Sequence, residues 1–147
     1  MLPILQGLET LEQVEEFLIE VSMPIQVNHL FTEDQYVREA IIPANMFGIG
    51  MRHKKKTLNI LLKGSVIMYE ETGKEIGRYT APYTFESDAK TKKLAFFPED
   101  SIWLNIHATK TRDFEELQRE LYEEEDINKN ICQDYQGNLK ENLCQDL

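Results

Sequence analysis

Cysteine is scarce in this chain, and the two present, Cys132 and Cys144, both lie in its polar C-terminal stretch. A disulfide between them would not staple a core, so free thiols in a reducing compartment are expected. No apolar run approaches the roughly 18 residues that a membrane-spanning helix needs. The N-terminal MLPILQGLETLEQ has no basic segment and soon turns acidic, which argues against a secretory leader. The signatures GxSxG, HExxH and CxxC and the P-loop are also missing. The sequence therefore offers no nucleophile elbow, zincin helix, redox pair or Walker-type phosphate loop. A cytoplasmic protein is the expectation, with no membrane partner.

Positive charge is scarce at the ends. Residues 1–28 carry five acids and no Lys or Arg, and residues 111–147 carry eleven acids against four bases. Residues 29–110 hold ten acids and twelve bases, so the net charge of −10 belongs to the termini and the middle is mildly basic. Duplex nucleic acid is a poor partner for such a particle, because phosphate contacts dominate that affinity. A small anion in a locally basic cavity is compatible with it. At 147 residues the chain predicts one domain with one core.

Apolar spacing divides the chain. Over 9–21, Leu11, Val14, Leu18 and Val21 recur at helical intervals, with Thr10 and Gln13 placed as a capping box and Ser22 and Pro24 as the stop. Residues 1–24 thus read as an N-terminal helix packing on a β-barrel. From 25 to 110, the barrel itself, the period falls to two. Strands are expected at 25–31, 35–42, 46–51, 57–62, 64–70, 75–79, 82–87, 92–97 and 101–107. Gly64 and Gly73 mark turns, and Ala81-Pro82 marks a corner or edge. Many short strands at close spacing mean a sandwich or barrel. Helical spacing returns over 111–126, with Phe114, Leu117, Leu121 and Tyr122 as the stripe and Thr111 or Asp113 as cap. Residues 127–147 read as a polar tail of marginal order.

Two stretches carry the candidate chemistry, GMRHKKKTLNILLKG at 50–64 and PEDSIWLNIH at 98–107, read as meeting across the inside of one barrel. In the second, Ser101, Trp103, Asn105 and His107 share one face, and Ile102, Leu104 and Ile106 share the other. In the first, Thr57, Asn59 and Leu61 oppose Leu58, Ile60 and Leu62. Parity does not say which face is interior. Arg52-His53-Lys54-Lys55-Lys56 is either a solvated basic loop or an anion grip, with Arg38 as a further cation. Trp103 either belongs to the core or stacks a ring, and Tyr83 near the Pro82 corner could face a cavity. His29 reads as structural or exposed.

Gly50, His53, Thr57 and Gly64, followed by Pro98 and His107, resemble the two motifs of single-domain, RmlC-like cupins, especially the small ones of phages and prophages. The resemblance covers about residues 25–126. It implies an all-β, cupin-like double-stranded β-helix barrel with an N-terminal and a C-terminal α-helix, and a host cytoplasm if the chain is viral. It also implies where a metal would sit, and here the chain departs from the pattern. Met51 stands at the first histidine position and Thr57 at the glutamate, leaving His53 and His107 from a 3-His/1-carboxylate set.

These readings converge on a non-catalytic binding protein. It would hold a small anionic ligand, a nucleotide or sugar phosphate, with Arg38, Arg52, His53, Thr57, Asn59, Tyr83, Trp103, Asn105 and His107. No cofactor is expected, a divalent metal at His53 and His107 being the weaker alternative. A homodimer is expected through the aliphatic sheet faces or an exchanged N-terminal strand. The competing readings are a cupin enzyme, isomerase, epimerase or metal-dependent, using His53 and His107, and a phage structural or interaction module.

Overall fold

The computed structural model describes Gln13 and residues 25–128. The expected helix over 9–21, Gln13 apart, lies outside the described residues, as do the tail beyond 128 and both cysteines. All nine expected strands are present. They are β1 (Gln26–Phe31), β2 (Gln35–Ile42), β3 (Met46–Ile49), β4 (Thr57–Lys63), β5 (Ser65–Tyr69), β6 (Glu75–Thr80), β7 (Tyr83–Ser87), β8 (Leu94–Phe97) and β9 (Ser101–Ala108). One sheet has the order β1-β2-β9-β4-β7 and the other β3-β8-β5-β6. Every pairing is antiparallel.

Two glycines permit the tight corners. Gly73 sits at φ 84 in the β5–β6 hairpin, and its N–H donates to the Glu70 carbonyl. Gly64, between β4 and β5, sits at φ 87. There a Cβ would lie 2.1 Å from Ser101 Oγ, so both conformation and space require glycine.

The core lies between the sheets at one end of the barrel. Val27, Ala40, Ile42, Leu61, Val66, Met68 and Phe97 are buried together, with Tyr83, Phe85 and Trp103 packed against them. A second cluster, Tyr36, Leu117 and Leu121, closes the other end. Between them the barrel is hollow, and residues of the first cluster, Ala40, Ile42, Met68 and Phe97, also line the hollow.

The C-terminal helix departs from expectation. It forms as two pieces, α1 (Phe114–Leu121) and α2 (Glu124–Asn128). Asp113 caps α1, accepting from Glu116 N at 2.9 Å. The break falls at Tyr122, which is extended at φ −117, ψ 151 and forms an antiparallel bridge with His53. Lys54 N donates to Leu121 O, and Glu123 N donates to Arg52 O. A strand-like pairing with the 52–54 loop thus replaces one helical turn.

Candidate ligand-binding cavity

The two motif stretches are neighbours rather than opposite walls, because β4 pairs directly with β9. Their mixed polar-aromatic faces point inward. Thr57, Asn59, Leu61, Ser101 and His107 are all buried, while Leu58 and Leu62 are exposed. Register then sets Arg38 beside Asn105 and Asn105 beside Asn59. The result is a directed ladder across four strands. Arg38 Nη1 donates to Asn105 Oδ1 at 3.4 Å, Asn105 Nδ2 to Asn59 Oδ1 at 2.6 Å, and Asn59 Nδ2 to Ser87 Oγ at 2.8 Å. Each amide is held in one orientation by the next, so the ladder fixes the polar floor in place.

Above this floor lies a cavity of about 180 Å³. Its walls are largely apolar and aromatic, including Ile49, Met51, Met68, Phe97 and Trp103, and Phe114, Gln118 and Tyr122 line it from the C-terminal segment. The cations at the wall are Arg38, Lys92 and Lys93, and no Asp or Glu among the described residues lines it. Lys92 is committed elsewhere. Its Nζ lies 2.9 Å from Asp126 Oδ1, with both side chains fully buried. Asp126 also accepts from Arg52 N at 2.6 Å and from Arg52 Nη1 at 3.3 Å. Burial alone would raise the Asp126 carboxyl, but the Arg52 amide and the Lys92 ammonium outweigh that and hold it below the usual carboxylate range.

His53 and His107 add no charge at neutral pH. Burial, then the Arg38 charge, pushes His53 down to about 4. Burial, then His53 and Arg38, pushes His107 down to about 3. Arg38 is thus a fixed cation set beside the neutral His53 imidazole and the Asn105 and Asn59 amides.

Of the sequence-predicted residues, the cavity brings together Arg38, His53, Asn59, Trp103 and Asn105. Arg52, Thr57, Tyr83 and His107 are not on its wall. Arg52 is bound by Asp126 and Glu71. Tyr83 stacks between Tyr79 and Phe85 on the core side. Thr57 and His107 line a separate void of about 20 Å³ with His53 and Glu120. The basic run at 52–56 is not a grip, since Lys54 donates to Arg119 O and Lys56 pairs with Glu86. Trp103 meets Phe85 and Phe97 edge-on and also lines the cavity.

Sequence reasoning missed His29, Lys92, Gln118 and Tyr122. His29 stacks on Tyr36, its Nδ1 2.8 Å from the Tyr36 hydroxyl. Inward parity on β1, shared with the buried Val27, was the available signal. Lys92, on the loop before β8, gave none, because its partner Asp126 is 34 residues away.

The residues do not fit the divalent metal that the motif positions suggest. His53 and His107 meet at 5.3 Å between ring centroids, but Thr57 Oγ1 turns to Lys55 O. Among the described residues no group of three or more His, Cys, Asp or Glu side chains is placed to hold an ion. His107 Nε2 is buried without a partner among the described residues, and the small void beside it is wide enough for one water.

No family model matches the sequence, and no curated protein matches it. Solved structures do. A double-stranded β-helix domain protein from Klebsiella pneumoniae aligns with TM-score 0.52 at 13% identity, over 61% of this chain and 81% of that one. KdgF from Halomonas sp. aligns with TM-score 0.50 at 17% identity, over 62% and 85%. NMB1881 from Neisseria meningitidis aligns with TM-score 0.50 at 6% identity, over 65% and 95%. The fold is therefore all-β and cupin-like, a double-stranded β-helix. At these identities the likeness reaches the fold and no further.

Proposed function

We propose that the protein is a binding module that holds a small organic anion inside its cupin-like barrel. The observation that carries this reading is Arg38, a cation fixed by the Asn105–Asn59 ladder in a cavity with no carboxylate from the described residues on its wall. A guanidinium offers five N–H donors in a fork that suits a carboxylate or phosphate, so ligand contact is compatible with the Asn105 bond. The same chemistry disfavours an enzyme that uses His53 and His107 as metal ligands, because Thr57 stands where such a site requires a carboxylate. The motif likeness to small phage and prophage cupins supports an accessory role in such a setting. An interaction module is the second reading, favoured by the exposed aliphatic face of the larger sheet.

Thermal unfolding of wild type and Arg38→Gln against a panel of organic anions tests this. A ligand at about 100 times its Kd stabilises by about 2.7 kcal/mol, a readily measured rise in Tm. The expected result is a rise in wild type that Arg38→Gln abolishes. If no anion raises Tm, or both proteins respond alike, the cavity reading fails and the interaction module replaces it.

A further inference from the structure

Resting on the reading of the cavity as an anion site, we propose that its ligand is a compact carboxylate carried on one ring or one branched apolar body, rather than a nucleotide or a sugar phosphate. Size is the first ground. The cavity measures about 180 Å³, below the ~300–1,000 Å³ typical of sites for drug-sized ligands. It slightly exceeds the ~150 Å³ that accommodates benzene in an apolar protein interior. A six-membered ring with one carboxylate matches that scale, whereas a base, a sugar and a phosphate together exceed it.

Charge is the second ground. Arg38 stands at the wall beside a histidine that is neutral at pH 7. Lys92 brings no net charge, since Asp126 neutralises it. Lys93 adds field from the β7–β8 loop. A phosphoryl dianion usually draws on a helix N-terminus or a run of backbone amides. The N-terminus of α1 is filled by its own Asp113, and α2 is a single short turn.

The wall chemistry is the third ground. Phe97, Trp103, Phe114 and Tyr122 with Met51 and Met68 make an apolar slot above the Arg38–Asn105 floor. Such a slot rewards a flat or branched apolar body and penalises a sugar, whose hydroxyls would lose water without replacement partners.

Trp103 is the chain's single tryptophan, so intrinsic fluorescence reports directly from the cavity wall. Titrations of the full chain would use benzoate, isovalerate, benzamide, acetate, inorganic phosphate, AMP and glucose 6-phosphate, with calorimetry as a second readout. Benzoate or isovalerate is expected to bind about tenfold or more tighter than benzamide and the phosphates, a gap of ~1.4 kcal/mol or greater. Arg38→Gln is expected to remove that preference. Ala40→Val keeps Arg38 while filling part of the slot, and is expected to weaken benzoate while sparing acetate, which covers the case in which Arg38→Gln fails to fold. Tighter, Arg38-dependent binding of AMP or glucose 6-phosphate would overturn the carboxylate class and leave the anion site standing. Equal binding of benzamide and benzoate would overturn recognition of the charge. If nothing binds to either protein, both readings fall together.

Discussion

Lys92 and Asp126 face one another at 2.9 Å with neither side chain exposed to solvent. The pair joins the loop before β8 to α2, and Arg52 completes it from the loop before β4. The segment containing Phe114, Gln118 and Tyr122, which lines the cavity, is thereby tied down at its far end. Removing one partner of a buried ion pair leaves an uncompensated charge and costs about 3–5 kcal/mol. Asp126→Ala is therefore expected to lower stability by about that amount in urea unfolding. The double change Lys92→Met/Asp126→Leu, which removes both charges, should recover much of it. If Asp126→Ala unfolds at the wild-type midpoint, the pair does not anchor the C-terminal segment.

Half-buried His53 and buried His107 set a pH dependence. Both are held neutral in the fold, at about 4 for His53 and about 3 for His107, against about 6.5 in an unfolded chain. Between these limits the unfolded state binds more protons, so stability rises with pH. Their contribution is complete above about pH 6.5 and is lost as pH falls toward 4. Within that window each histidine makes the slope up to about 1.4 kcal/mol per pH unit. Urea midpoints taken from pH 7.5 to 5, above most carboxylate titration, should show this fall, and His107→Asn should flatten it. A flat wild-type profile over that range would mean the imidazoles are hydrated in the fold.

Gly64 and Gly50 form a matched pair for a backbone test. An alanine Cβ at 64 would meet Ser101 Oγ at 2.1 Å and the Asp100 carbonyl at 2.5 Å, at a φ of +87. The conformation alone costs about 1–3 kcal/mol, and the clash adds to it. At Gly50 a Cβ meets nothing within 4 Å. Gly64→Ala is expected to destabilise by at least that range and Gly50→Ala to change stability little, both by thermal melt. Equal effects would mean that the β4–β5 corner is soft enough to move.

Strand boundaries were legible because alternation is a local property. Ser101 to His107 alternates polar or aromatic with aliphatic residues within the chain itself, and Gly64 and Gly73 announce their turns. The cavity was legible only in part. Arg38, Asn59 and Asn105 are polar residues on strand faces, so their parity placed them correctly once the inward face was known. Which face is inward depends on pairing. The polar-aromatic faces of β4 and β9 point in because the rungs Arg38–Asn105–Asn59–Ser87 satisfy one another there. The basic run at 52–56 misled for the converse reason. Arg52, Lys54 and Lys56 are spent on Asp126, Glu71, Glu86 and the Arg119 carbonyl, partners that a local window does not contain. The helix break at Tyr122 was hidden likewise, since its stripe continues through 122 while the bridge to His53 comes from 69 residues earlier.

Turning the polar faces inward leaves the aliphatic faces outside, and this carries the last prediction. Register aligns Leu30, Val37, Ile106 and Leu58 in one row across β1, β2, β9 and β4. Ile41 beside Ile102 and Leu104 beside Ile60 extend it. Leu30 is 57% exposed, Leu62 50% and Leu58 38%. Contiguous apolar surface of this kind marks an interaction site on a soluble protein. A stable interface needs about 800 Å² from each partner, and a face-to-face stack of two copies is the arrangement that would cover this row on both. Fully burying one leucine contributes about 1.5–3 kcal/mol. The expectation is a homodimer in solution at twice the 17.2 kDa chain mass, seen by light scattering at micromolar concentration. Leu58→Glu and Leu30→Glu place charge on this face without entering the core. Each is expected to weaken the dimer about tenfold or more, ~1.4 kcal/mol or greater, while the thermal melt of the monomer holds. A monomeric wild type at micromolar concentration would sink the dimer. A dimer indifferent to both charges would place its interface elsewhere.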